Sequence, residues 1–163
     1  MQALHNLAPF VCIQPMYNLV KRQAEVEILP LAQSERLAVV SYSPLGGGLL
    51  SGKYGSRTRP AQGRLIENAM YTKRYGEPMY YDVADRLLLK AEATGVQPPA
   101  LAVAWVMAHP AVTAPIIGAR SLEQLAGSLA ALDIAMTPEL RAELSALSPE
   151  PPPATDRSET RAR

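Results

Sequence analysis

The chain has 163 residues, 48% of them hydrophobic and 19% charged, with a formal net charge of +1. This is enough for one domain with a real core, and it excludes a global attraction to nucleic acid or anionic membrane. Cys12 is the only cysteine, which excludes a disulfide scaffold or a multi-cysteine zinc site within one chain, and no apolar run reaches the roughly 18 residues that mark a membrane span.

The opening Met1-Gln-Ala-Leu-His-Asn6 lacks the basic start and apolar core of a signal peptide, so the expected setting is reducing and cytoplasmic. Residues 10–15 read as a buried strand stopped by Pro15, with Cys12 in the core and Gln14 at the carboxyl end. Residues 21–36 look helical, with Ala24, Ile28, Leu31 and Ala32 on one side, and Pro30 implies a kink or two short helices. Residues 37–42 form a short apolar run bounded by turn residues, which reads as a strand buried on both faces. Pro44 ends its ladder because it lacks an N–H. Gly46, Gly47 and Gly48 follow, then Gly52 and Lys53. Without a Cβ the glycines let the backbone approach a ligand, and a cation stands in the same loop. The stretch therefore reads either as a phosphate cradle or as a glycine-rich surface turn.

Residues 43–81 form a long connection, which in a compact domain is functional or disordered. Between Lys53 and Arg74 it carries six basic residues and one acidic residue, alongside several tyrosines. Cations and aromatic faces suit an anionic, stackable ligand; a solvated basic loop pinned down by its tyrosines is the alternative. Asp82 is the expected N-cap of the next helix, Asp85 favours its first turn, and Gly95 fits its end. A second helix follows Pro98 and Pro99, and its body, residues 100–108, is apolar all round and so buried. Trp105 reads as core and His109 as structural. Residues 112–118 are the third strand, although Pro115 is awkward in a central position. Ser121 starts a helix with Leu122, Leu125, Leu129 and Leu132 in one stripe, and Ser121-x-x-Gln124 matches a capping box. Thr137 and Pro138 open a last helix with Leu140, Leu144 and Leu147. Residues 148–163 hold four prolines and no apolar periodicity, so residues 1–147 are the expected domain and the rest a disordered tail.

Strand–helix alternation without hairpin signals implies parallel strands joined by right-handed crossovers. Three parallel strands cannot close a barrel and leave two bare edges. Further strands come from another chain, the chain is part of a larger fold, or the layer stays open and marginal. In α/β folds ligands lie at the carboxyl ends of strands, where Gln14, Tyr42-Ser43 and Gly118-Ala-Arg120 all fall. Two glycine-bearing exits with cations point to one anionic ligand spanning both, with Arg120 placed to grip phosphate at the following helix start.

Gln14-Pro-Met-Tyr-Asn-Leu19, Tyr42-Ser-Pro-Leu-Gly-Gly-Gly-Leu-Leu-Ser-Gly-Lys-Tyr54, Ala104-Trp105 and Ile116-Ile-Gly-Ala-Arg-Ser-Leu-Glu-Gln-Leu125 together resemble the aldo-keto reductase family over about residues 8–147. These are NADPH-dependent (β/α)₈ barrels, and the pattern is closest to the branch with bacterial general-stress reductases and potassium-channel β-subunits. The resemblance implies the C-terminal part of such a TIM barrel: three parallel βα units, incomplete as a closed barrel. It implies that Gln14 contacts the nicotinamide carboxamide and that Tyr42 stacks on the ring. Ser43, Pro44, Leu45, Gly46 and Gly47 would form the pyrophosphate loop, with Lys53 and Arg64 near the phosphates. Gly118, Arg120, Gln124 and Ser128 would lie at the adenosine 2′-phosphate and its surroundings, and Arg120 would favour NADP over NAD. For Gln124 the capping box competes with this role. The family often has Glu and Asn where this chain has Gly127 and Ser128, so adenine binding is expected to be weaker.

The family's catalytic Asp, Tyr, Lys and His find no match in this chain. The implied function is the NADP(H)-binding half of an oxidoreductase that reduces aldehydes or ketones, inactive alone and taking a small carbonyl substrate only when an N-terminal half completes it. The alternatives are a non-catalytic NADP-binding half-barrel that self-associates through bare sheet edges, or a truncated gene remnant. No nucleic acid and no membrane are expected as partners.

Overall fold

The structure, a computed structural model, describes residues 5–153. A three-stranded parallel sheet runs in the order β1 (Cys12–Ile13), β2 (Ala38–Tyr42), β3 (Ala114–Ile116). Cys12 lies opposite Ala38, and Tyr42 lies opposite Ile116. The sheet is not closed. Helices α1 (Ile28–Ser34), α2 (Arg64–Glu67), α3 (Ala69–Arg74), α4 (Pro78–Thr94), α5 (Pro98–Met107), α6 (Leu122–Leu129) and α7 (Pro138–Ser145) complete the described chain, with short 3₁₀ turns between some of them. This is the expected alternation, and the architecture is part of a barrel.

One face of the sheet is sealed. Val39 of β2 is fully buried in a core with Leu29 of α1, Leu87 of α4, and Leu101 and Trp105 of α5. Helix α5 is apolar at nearly every position, so it can only sit inside, and Ala100 to Val106 are all buried. Each large side chain taken from water there contributes roughly 1.5–3 kcal/mol. Trp105 also satisfies its polar atom: Nε1 donates to Ser145 Oγ at 2.9 Å. Tyr17 stacks obliquely on Trp105, with ring centroids 5.0 Å apart. The Tyr17 hydroxyl donates to Glu25 at 2.6 Å, and burial with this bond pushes Tyr17 well above the usual phenol range. Burial works to raise Glu25, but hydrogen bonds from Arg22 and Tyr17 outweigh it and hold the carboxyl below its ordinary value. His109 sits edge-on to Tyr17, its Nδ1 accepts the Ala111 N–H at 3.1 Å, and burial lowers its pKa. Trp105 and His109 are thus structural, as expected.

The other face is open, and this explains most departures from expectation. β1 is two residues long, and Phe10 and Val11 are 75% and 72% exposed. Cys12 is exposed, not core. β1 is an edge strand: its Ile13 packs against the core, while Cys12 and the two residues before it are left open. β3 is the other edge, which is where a proline such as Pro115 is tolerated.

Residues 21–36 split into a 3₁₀ turn (Gln23–Glu25) and α1, with the break before Pro30. Pro30 is the third residue of α1, where its missing N–H is not needed. Leu29 and Ala32 face the core, while Ile28 and Leu31 face out. The long connection is folded into α2, α3 and the start of α4. That helix begins at Pro78, so Asp82 lies inside it and caps nothing; Pro78 at the first position sets the start. Gly95 ends α4 with φ 67°.

In α6 the side that packs on α5 is Gly127 and Ser128, and the leucine stripe faces solvent, with Leu122 84% exposed. Thr137 caps α7 by accepting the Leu140 N–H, and Leu144 is buried. Ser148 is buried and accepts from Arg22 at 3.3 Å, so the first residues after 147 pack on the body. Residues 154–163 of the expected tail lie outside the described residues.

Candidate functional site

The main cleft, about 870 Å³, lies at the carboxyl ends of β2 and β3. That volume suits a cofactor-sized ligand. Its floor is Tyr42 to Leu45, one wall is the glycine turn with Lys53 and Arg64, and the other is the β3 exit with α6. Of the residues singled out from the sequence, Tyr42, Ser43, Pro44, Leu45, Gly47, Lys53, Arg64, Gly118, Arg120, Gln124 and Ser128 all line it. Gln14 and Gly46 do not. Gln14 is exposed just past β1, and Gly46 is buried on the core side, near Tyr75 and Val20.

The turn is held from below. Ser43 has φ 58°, a left-handed conformation that costs a non-glycine residue about 1–2 kcal/mol. Its carbonyl accepts from Gly46 N–H at 2.9 Å and from Asn18 Nδ2 at 2.9 Å. Asn18 is fully buried, and its Oδ1 accepts from the N–H groups of Val20 and Lys21. Tyr75 sits under the turn; burial raises its pKa against the opposing hydrogen bond from Asn18.

The glycines have different jobs. A Cβ on Gly47 would meet the Tyr71 ring at 2.6 Å, so this glycine admits a protein side chain. A Cβ on Gly48 would meet nothing within 4 Å, and its φ of 105° keeps that space open toward the cleft.

Charge is arranged to match. Lys53, Arg64 and Arg120 line the cleft, and among the described residues none has an ion-pair partner. Glu67 and Glu123 also lie on the lining. Arg64 leans over Tyr71 at 5.2 Å. At the start of α6 Ser121 Oγ accepts the Gln124 N–H, and Gln124 Oε1 accepts the Arg120 N–H at 3.0 Å. The Gln124 carboxamide thus fixes the backbone of Arg120, a variant of the capping box, and still borders the cleft.

The profile of the Aldo/keto reductase family matches residues 1–149. The chain belongs to the aldo/keto reductase family. Over 143 residues it is 35% identical to the uncharacterized oxidoreductase YrpG of Bacillus subtilis (strain 168), covering 85% of this chain and 40% of that protein. It is 32% identical over 159 residues to a probable voltage-gated potassium channel subunit beta of Oryza sativa subsp. japonica, covering 88% and 45%. The glycerol dehydrogenase AKR11B4 from Gluconobacter oxydans superposes with a TM-score of 0.72 at 29% identity, over 95% of this chain and 48% of that one. This aldo/keto reductase chain therefore spans about half the length of the relatives it matches.

Residues in and around the cleft took roles that the sequence does not signal. Asn18, buried beneath the turn, has no role legible in the sequence. Gln97, between Gly95 and two prolines, reads only as a helix start. Asp85 does not serve the α4 dipole; it accepts from Ser56 N–H at 2.8 Å and from Ser56 Oγ at 2.5 Å. Those bonds hold its carboxyl below the usual range and tie the loop after Lys53 to α4. Among the described residues no His or Asp lines the cleft and no three His, Cys, Asp or Glu side chains converge as a metal site. No helix among them is long and apolar enough to cross a membrane.

Proposed function

We propose that this chain is the NADP(H)-binding half of a carbonyl-reducing oxidoreductase. The observation that carries the reading is the trio of cleft cations without partners, Lys53, Arg64 and Arg120, set around the open space beside Gly48. Two separated positive regions suit a ligand with two separated phosphate groups. Lys53 and Arg64 hold the pyrophosphate side. Arg120, at the start of α6, holds a 2′-phosphate as a bidentate donor with help from the helix dipole. Tyr42 presents its ring to the nicotinamide. The cofactor, when bound, supplies hydride to a carbonyl; the residues of this chain orient it and keep water from its phosphate arm.

Proton donation to the carbonyl normally needs a positioned acid. On the proposed reading that acid comes from outside this chain, which serves to bind. Reduction of an aldehyde or ketone then requires further strands to complete the barrel, in a cytoplasmic setting. Titration of the full chain with NADPH and NADH tests the reading. NADPH is expected to bind at least tenfold tighter, and Arg120→Ala is expected to remove that margin. Equal affinity for both cofactors, or a margin unaffected by Arg120→Ala, overturns the assignment of Arg120. No binding of either overturns the whole reading and favours a gene remnant. NADPH oxidation with an aldehyde by the chain alone overturns the missing tetrad.

A second reading is favoured by the bare edges. Exposed Phe10 and Val11 beside β1, with the solvent-facing leucines of α6, suit a non-catalytic half-barrel that binds NADP(H) and pairs with a second copy. Sedimentation at rising concentration should then show dimer; a constant monomer removes this reading.

A further inference from the structure

Gly127 is the most costly residue of α6. It stands inside the helix, where glycine is less stable than alanine by about 1 kcal/mol. Its backbone is ordinary helix, so no unusual φ demands glycine. Space demands it. A Cβ there would lie 2.9 Å from Oε1 of Gln97 and 3.7 Å from Cγ of Pro99. The Gln97 carboxamide therefore lies in a notch that the missing side chain leaves in the cleft wall, and Gln97, Gly127 and Ser128 all border the cleft.

Gln97 has no other employment. It is the N-cap of α5, yet its side chain makes no cap hydrogen bond. Among the described residues its carboxamide has no hydrogen-bond partner, although its backbone carbonyl accepts the Leu101 N–H at 3.1 Å. Pro98 and Pro99 follow, so the backbone that carries it is restricted on its C-terminal side. The result is an exposed amide, able to donate and to accept, beside α6 at the cleft wall.

We propose that Gln97 is a specificity-determining residue that reads the purine edge of the cofactor's adenine. This rests on the NADP(H) reading above. With a 2′-phosphate at Arg120, the covalent connection of phosphate, ribose and base brings the base along α6 past Gln124, toward Gly127. Adenine presents a donor at N6 and an acceptor at N7, the complement of a carboxamide's acceptor and donor. Hypoxanthine presents an acceptor in place of the N6 amine, which leaves the carboxamide oxygen without a partner.

The test uses the full chain and two ligands, NADPH and its hypoxanthine analogue. Wild type is expected to prefer NADPH by roughly tenfold. Gln97→Met keeps the length and removes both polar atoms, and is expected to bring the preference close to one. Gly127→Ala fills the notch and displaces the carboxamide. It should raise the melting temperature, because alanine favours helix, while lowering the adenine preference; a merely structural Gln97 would not couple these opposite effects. If wild type binds neither ligand, the NADP(H) reading and this one fall together. If wild type binds NADPH but shows no adenine preference, or Gln97→Met retains it, only the role of Gln97 falls.

Discussion

Asn18 offers the sharpest check on how the glycine turn is held. Its carboxamide joins the segment after β1 to the turn after β2. Replacing it with alanine removes three short hydrogen bonds from a fully buried site: 3.1 Å from Val20 N–H, 2.9 Å from Lys21 N–H and 2.9 Å to Ser43 carbonyl. They do not weigh equally. The Lys21 N–H retains the Asn18 backbone carbonyl at 3.1 Å, and the Ser43 carbonyl retains Gly46 N–H. The buried Val20 N–H has no second acceptor among the described residues. One orphaned buried donor costs about 1–3 kcal/mol, and the lost Ser43 bond about 1 more, so Asn18→Ala should destabilise the fold by about 2–4 kcal/mol.

Asn18→Asp separates the two ends of the side chain. It keeps an acceptor for Val20 and Lys21 but sets a carboxylate oxygen against the Ser43 carbonyl. Ser43 is the strained residue from which the cleft floor starts, so Asn18→Asp should weaken NADPH binding even where it folds. Urea denaturation and NADPH titration of the two variants and wild type measure both effects. A loss below about 1 kcal/mol for Asn18→Ala, or wild-type NADPH affinity in Asn18→Asp, would refute the reasoning.

Gly47→Ala forces a Cβ to within 2.6 Å of the Tyr71 ring at φ 70°, and is expected to cost about 2–3 kcal/mol in urea denaturation. Adding Tyr71→Ala should recover part of it, with a coupling of about 1 kcal/mol or more; additive losses would show that the ring is not the obstacle. The Asp85 carboxyl, depressed by Ser56, contributes stability that is present above its ordinary value of 3.8 and fades as pH falls below it. Melting curves should therefore separate Ser56→Ala from wild type at neutral pH and bring them together in acid, and an equal gap at both would sink the latch. If the proposed reading holds, adenosine 2′,5′-bisphosphate, which lacks the nicotinamide, should bind the chain within about tenfold of NADPH by calorimetry, because the residues assigned to its phosphates and base all line one cleft. A much larger gap would place the main binding contacts at the nicotinamide end.

Legibility divided along the two faces of the sheet. On the sealed face composition was enough for α5, while periodicity was half right for α1, where Leu29 takes the core side in place of Ile28 and Leu31. The all-apolar α5 could be placed nowhere but inside, and Trp105 and His109 followed from it. Local backbone chemistry was legible too: Gly95, Thr137 and the Ser121–Gln124 cap act as their residue types require. On the open face the same logic misled. An apolar run such as residues 10–13 predicts burial only if something arrives to cover it, and among the described residues only Ile13 finds the core. The leucines of α6 misled for the same reason, since the helix packs on α5 through its smallest residues. In the cleft, the signal lay in glycines, cations and the residues at strand ends. It was blind to Asn18, which reaches from beneath the turn to the distant Ser43 carbonyl, and to Gln97, whose place on the lining comes from packing against α6.

That division also bears on function. In parallel βα folds the ligand site is built by neighbouring strand-to-helix connections, not by the whole ring. Every residue lining this cleft falls between Tyr42 and Ser128, within consecutive units that pack on one another through α5. A chain half the length of its relatives therefore carries a whole cleft wall to wall, the one proposed above for the phosphate-and-adenosine arm. The nicotinamide end differs. Tyr42 is only half-buried, and Ile116 beside it is 42% exposed, so the ring would rest on a floor without a roof. Hydride transfer needs that end dry and its acceptor fixed, because stray water and loose geometry each weaken the electrostatic control of the step. Holding a cofactor and using it are thus separable in this fold, and on the reading proposed above the residues of this chain serve the first.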